Sequence, residues 1–163
     1  MTVAELFREA KLLPSAPVPW KIQVEEPRKG IYVVARVEKP TTHCERCDLP
    51  LRDPLSPNIK IDFKYEQTRW LPSEGILYIG KTDRPISTRL NEFYCHVCGH
   101  KRPHAGGQVV KLLQCNLWIY WAAVENPYHT EQLMIDIFER QAGKVPFANY
   151  DRVRRPRRVQ LSN

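Results

Sequence analysis

Gly30-Ile31-Tyr32-Val33-Val34-Ala35-Arg36-Val37 is the stretch on which the fold turns. It is apolar and rich in β-branched residues, with Gly30 at one end and Pro40 beyond the other, and so reads as a strand. Residues 75–80 (GILYIG) have the same character and are expected to form another. Residues 117–124 (LWIYWAAV) are apolar on both faces, which predicts a central strand. Residues 59–65 (IKIDFKY) alternate apolar and polar and read as a half-buried strand.

Helical signals separate these runs. Thr2-Val3-Ala4-Glu5 is a capping-box pattern, and Val3, Leu6, Phe7 and Ala10 follow at helical spacing up to Pro14. Pro14, Pro17 and Pro19 predict an extended linker. Pro85 stands at the start of a helix carrying Ile86, Leu90 and Phe93. Asn126-Pro127 opens the last helix, which runs to about Arg140 and ends near Gly143. Its apolar arc is expected to hold Leu133, Met134, Ile135, Ile137 and Phe138. The order of elements gives a small α+β domain. It divides into an N-terminal helix and linker (1–27), a core (28–150) with an insertion at 38–74, and a basic tail (151–163).

The chain has 163 residues, 42% hydrophobic and 26% charged, which suits one domain with a core. No apolar run approaches the ~18 residues of a membrane span. Glu5, Arg8, Glu9 and Lys11 exclude a secretory signal at the start, so a cytoplasmic location is expected. Net charge is +7, of which the tail supplies +4 through Arg152, Arg154, Arg155, Arg157 and Arg158 against Asp151. An arginine run is ordinarily a solvated end; beside a phosphodiester-cleaving site it would grip phosphates.

Glu131 falls inside the apolar arc of the last helix. A carboxylate facing a core is costly unless it is paired or holds a metal. A first-turn glutamate that offsets the helix dipole is an equal alternative. Arg89 lies at the edge of its helix's apolar stripe, where a planar guanidinium suits a phosphate; snorkelling along the surface is the plainer reading. Tyr32 and Tyr78 sit at strand edges. A tyrosine serves as a general base when its pKa is lowered, and Lys81 or a metal ion would lower it.

Taken in order, Gly30-Ile31-Tyr32, Tyr78-Ile79-Gly80-Lys81-Thr82, Ile86-x-x-Arg89-Leu90, Glu131 and Asn149 resemble the GIY-YIG nuclease family. The resemblance spans about residues 28–150. It implies a three-stranded antiparallel sheet flanked by helices that cuts DNA with one divalent metal, Mg²⁺ or Mn²⁺. It implies that Glu131 holds the metal and that Tyr32 is the general base or water-positioning tyrosine. Arg89 would steady the scissile phosphate, Tyr78 and Lys81 would line and tune the site, and Asn149 would close the pocket by hydrogen bonding. Tyr32 and Tyr78 are 46 positions apart, where the family usually has a short hairpin turn. The family often has His or Tyr four residues after the arginine. Here Phe93 stands there, and Tyr94 or His104 is the candidate substitute.

Four of the five cysteines form the pairs Cys44-x-x-Cys47 and Cys95-x-x-Cys98, each resembling a zinc knuckle. One structural Zn²⁺ held by all four, joining insertion to core, is the expectation. His43, His96, His100 or His104 could replace one sulfur. Cys115 is expected to be a small buried residue. The functional expectation is a DNA endonuclease, with a homodimer possible for cutting two strands. The alternatives are a catalytically inactive zinc-containing nucleic-acid-binding module, or a nuclease subunit that needs a partner.

Overall fold

The computed structural model describes residues 1–36, 63–96 and 107–150. Its centre is β2, Gly30–Arg36, in which every residue from Gly30 to Ala35 is buried. β2 pairs antiparallel with β3, Ile76–Thr82, on one side and with β4, Leu117–Ala123, on the other. Val33 faces Ile79 and Tyr120 in these registers. The two-residue strand β1, Val18–Pro19, adds to the outer side of β4, giving the order β1-β4-β2-β3.

The α+β class is as expected, but the sheet has four strands rather than three. The proline-rich linker is extended and lies along β4. The Ser15 and Trp20 amides donate to the Trp121 and Leu117 carbonyls, both at 2.8 Å. Pro19 cannot donate, which an edge strand tolerates. β4 is flanked on both sides, as predicted for a central strand, but its burial is interrupted, whereas β2 and most of β3 are covered on both faces.

Helices cover both faces. α1, Val3–Glu9, and α4, Pro127–Ala142, pack on one, where Leu6, Phe7, Met134 and Phe138 meet Ile31, Val33 and Ile79. α3, Ile86–Cys95, and a 3₁₀ turn, Gln108–Leu112, cover the other. There Leu90, Phe93 and Val110 meet Tyr32, Val34 and Tyr78. The caps read from sequence are formed. Thr2 and Glu5 make a reciprocal capping box, Asn126 Oδ1 accepts from the His129 amide at 3.1 Å, and Gly143 ends α4 with φ 76°. Leu133 departs from the predicted arc: it is 39% exposed.

The strand predicted at 59–65 is not formed at its described end. Phe63–Arg69 is instead a helix, α2. What this helix buries is charged rather than apolar: Glu66 and Arg69 pair at i,i+3 with a closest approach of 3.6 Å. Hydrophobic periodicity has no purchase on such a segment.

Candidate active site

Tyr32 and Gly80 are register partners across β2 and β3, and the sequence resemblance rests on both. Tyr32, Tyr78 and Phe93 form a ring cluster with centroids 5.9 to 6.2 Å apart. A β-bulge between Val34 and Ala35 leaves Leu77 without a partner on β2, so Leu77 and Tyr78 both enter this core. The glycines make room. A Cβ on Gly80 would lie 2.6 to 2.7 Å from atoms of the Tyr32 and Tyr78 rings. One on Gly30 would land on the Ala122 carbonyl oxygen. Gly107, at φ 71°, lays its backbone against the Tyr78 ring.

Charge is brought to this cluster from two helices. Arg89 of α3 hydrogen-bonds the Tyr32 hydroxyl, which is also bonded to Tyr78. Glu131 of α4 is half-buried and close enough that its charge acts on both phenols. Thus Tyr32, Tyr78, Arg89 and Glu131, from four separate segments, meet at one place. Burial pushes Tyr32 up to about 12; Arg89 pulls the other way and is outweighed. Burial likewise holds Tyr78 well above the ordinary tyrosine range, with the neighbouring Tyr32 adding to it. Among the protein's own groups, desolvation of the phenolate outweighs the adjacent guanidinium.

Lys81 does not supply the expected effect on Tyr32. Its register partner is Ile31, so it leaves the sheet on the α4 face. Its ammonium lies 3.4 Å from Asp83 and 5.5 Å from the centroid of the Tyr128 ring. Asn149 hydrogen-bonds the backbone of β3. Its Oδ1 accepts from the Ile79 amide at 2.9 Å, and its Nδ2 donates to the Ile79 carbonyl at 2.7 Å. A side-chain amide thereby occupies the free edge of β3, between Tyr78 and Gly80.

Two supporting groups have no signal in the resemblance. Arg84 grips Glu92 through two bonds of 2.7 and 2.6 Å, which lowers the pKa of Glu92, and Glu92 in turn lies 3.7 Å from Arg89. The i,i+3 spacing of Arg89 and Glu92 is legible in sequence; the brace from Arg84 is not. Arg69 donates to the Asn149 carbonyl at 2.6 Å and lies beneath the Tyr150 ring, 4.5 Å from its centroid. Phe93 completes the ring cluster, while Tyr94 turns to Trp20, with centroids 5.0 Å apart. Burial raises the pKa of Tyr94, and the nearby Tyr32 adds to it.

Among the described residues no three His, Cys, Asp or Glu side chains gather as a metal site. A lone carboxylate is still a fitting donor for Mg²⁺, which keeps most of its waters and commonly takes one or two carboxylates plus substrate phosphate. Cys95 is an exposed free thiol at the end of α3, and His96 beside it is buried. Cys44, Cys47, Cys98, His43, His100 and His104 lie outside the described residues. So do Arg152, Arg154, Arg155, Arg157 and Arg158. Cys115 is a partly buried free thiol packed on the core, its pKa raised by burial. No helix among the described residues is long and apolar enough to cross a membrane. No protein-family model, curated protein or solved structure matches the chain.

Proposed function

We propose that the protein is a metal-dependent endonuclease that hydrolyses phosphodiester bonds of DNA. The observation that carries this is the convergence of Arg89 and Glu131 on the buried phenols of Tyr32 and Tyr78, with a cation and an anion both half-buried there. Glu131 would hold Mg²⁺ or Mn²⁺, which when bound supplies positive charge to the phosphate. Arg89 grips a phosphate oxygen with its planar fork and stabilises charge as the bond breaks. Glu92, held by Arg84, fixes the guanidinium. Tyr32 is fully buried and keeps its proton at neutral pH. Its hydroxyl therefore orients Arg89 from beneath, and any contact it makes with a bridging water is as a neutral hydrogen-bonding group. Asn149 pins the strand that carries Tyr78. In the net reaction a water oxygen bonds to phosphorus, the bond to the leaving oxygen breaks, and the proton passes from the water to that oxygen.

The paired cysteines would hold a structural zinc that joins the insertion to α3. The arginine tail would add phosphate contacts through counterion release, so removing residues 152–163 flattens the salt dependence of DNA affinity. An unchanged slope would show that the tail does not touch DNA.

A second reading, an inactive or partner-activated nucleic-acid-binding module, is favoured by the complete burial of Tyr32. The two are separated by plasmid cleavage in Mg²⁺, using protein whose zinc content has first been measured. The expected result is zinc in the freshly purified wild type and cleavage that is lost in Glu131→Ala. Equal cleavage by both would exclude this site. Binding without cleavage by either would support the module. Absence of zinc would remove the structural metal.

A further inference from the structure

Lys81 of β3 and Tyr128 of α4 meet in space from distant parts of the chain, with the ammonium 5.5 Å from the ring centroid. The Tyr128 residue is 50% exposed and the lysine side chain 27%, so together they present a cationic, aromatic corner to solvent. The ammonium is shared with Asp83, whose nearer carboxylate oxygen lies 3.4 Å away. Both members of that ion pair reach water, so the pair is weak and a phosphate can displace the carboxylate.

The corner adjoins the candidate active site through the backbone of both elements. Tyr128 and Glu131 stand three apart on α4, which sets their Cβ atoms ~5–6 Å apart on neighbouring rows of one face. Helical side chains lean toward the N-terminus, so Glu131 leans toward the turn that carries Tyr128. On β3, Lys81 follows Gly80, the residue against which the Tyr32 ring and hydroxyl lie. Lys81 and Arg89 serve opposite faces of the sheet. Lys81 leaves β3 on the α4 face, whereas Tyr32, to which Arg89 is bonded, belongs to the core on the α3 face.

A lysine stem is long and flexible, and left to itself it would spread its charge between Asp83 and water. A carboxylate that fixed it would also neutralise it. A ring attracts the ammonium through its quadrupole and leaves the charge in place for an anion. We propose that Tyr128 is a positioning residue for Lys81, holding its ammonium on the Glu131 side of β3 to receive a DNA phosphate that flanks the one gripped by Arg89. The two cations thereby hold successive parts of one strand across the site. This rests on the nuclease reading for its place beside the cut, but the contact is measurable as binding without cleavage.

The test uses the full chain and a fluorescein-labelled DNA duplex. Binding is followed by anisotropy over a range of salt without divalent metal, and cutting by gel with Mg²⁺. Lys81→Met should reduce the slope of log affinity against log salt by about one. Tyr128→Leu should weaken binding roughly two- to fivefold, and Tyr128→Phe, which keeps the ring face, should bind as the wild type does. In the Lys81→Met background Tyr128→Leu should add almost nothing, because the ring acts through the lysine. Thermal midpoints serve as the folding control. A wild-type salt slope in Lys81→Met, with cleavage intact, would overturn the phosphate contact and leave the nuclease standing. Equal losses from Tyr128→Leu with and without Lys81 would overturn the positioning role. The expected pattern of binding in a protein that never cuts would support the contact and sink the nuclease. Absence of DNA binding by the wild type would overturn both.

Discussion

Gly80 is where a single atom decides the site. A methyl group there would press on the Tyr32 and Tyr78 rings, which are wedged against Phe93 and cannot retreat. Gly80→Ala is expected to lose roughly 1–3 kcal/mol of stability, as overpacked cores do, and to displace the Tyr32 hydroxyl from Arg89. Gly75→Ala is the matched control, because among the described residues its Cβ would meet only the Arg36 carbonyl at 3.9 Å. Urea midpoints of the two variants check this. Equal midpoints would mean that the ring cluster yields freely. The glycines and tyrosines were legible as a motif, and the reason for their pairing appears only in the register that sets Tyr32 against Gly80. Glu131 was legible because a carboxylate inside an apolar arc is costly. Arg84 was not, since it reaches Glu92 from a turn eight residues away. The upward pull on the tyrosine pKa values was not legible, because charge neighbours can be guessed from sequence, whereas complete desolvation cannot.

At the scale of elements, α4 was readable nearly to the residue, since Asn126, Pro127 and Gly143 mark its ends locally. α2 was not, because its buried side of Glu66 and Arg69 has meaning only against the C-terminal segment. Arg69 there donates to the Asn149 carbonyl, and the Tyr65 and Tyr150 rings lie near its guanidinium. Asn149 in turn braces β3 through Ile79. Arg69 is thus one link between the insertion and the edge strand of the site, beside the packing of Trp70 on Phe147. Arg69→Ala is expected to cost about 3–5 kcal/mol, because it leaves Glu66 buried without its cation. Arg69→Met with Glu66→Leu should recover much of that stability yet still lose the bond to Asn149. Chemical denaturation of the three proteins checks the first effect. Cleavage by the double variant checks the second: full activity in it would show that the bond to Asn149 contributes only to folding.

The whole molecule is a sheet with a separate core on each face, and the three phenols nearest the site all belong to one of them. That asymmetry gives the fold an alkaline limit. Burial raises Tyr32 from 10.0 to about 12, and raises Tyr78 and Tyr94 as well. A phenol whose pKa is higher folded than unfolded binds its proton more tightly in the native state. Its contribution is therefore complete below pH ~10 and is lost as pH rises through the folded value. For Tyr32 alone the loss amounts to roughly 2–3 kcal/mol. The urea midpoint is expected to hold steady from neutral pH to about 9.5 and then to fall steeply toward pH 12. Tyr32→Phe has no such proton to lose, so its fall should be shallower even if its midpoint at neutral pH is lower. Phenolate absorbance recorded in the same titration should show these three rings ionising only as the chain unfolds. Stability that stayed level to pH 12, with all the phenolates formed, would mean that the ring cluster admits water and charge while folded. The orienting role given to a neutral Tyr32 would then have to be abandoned.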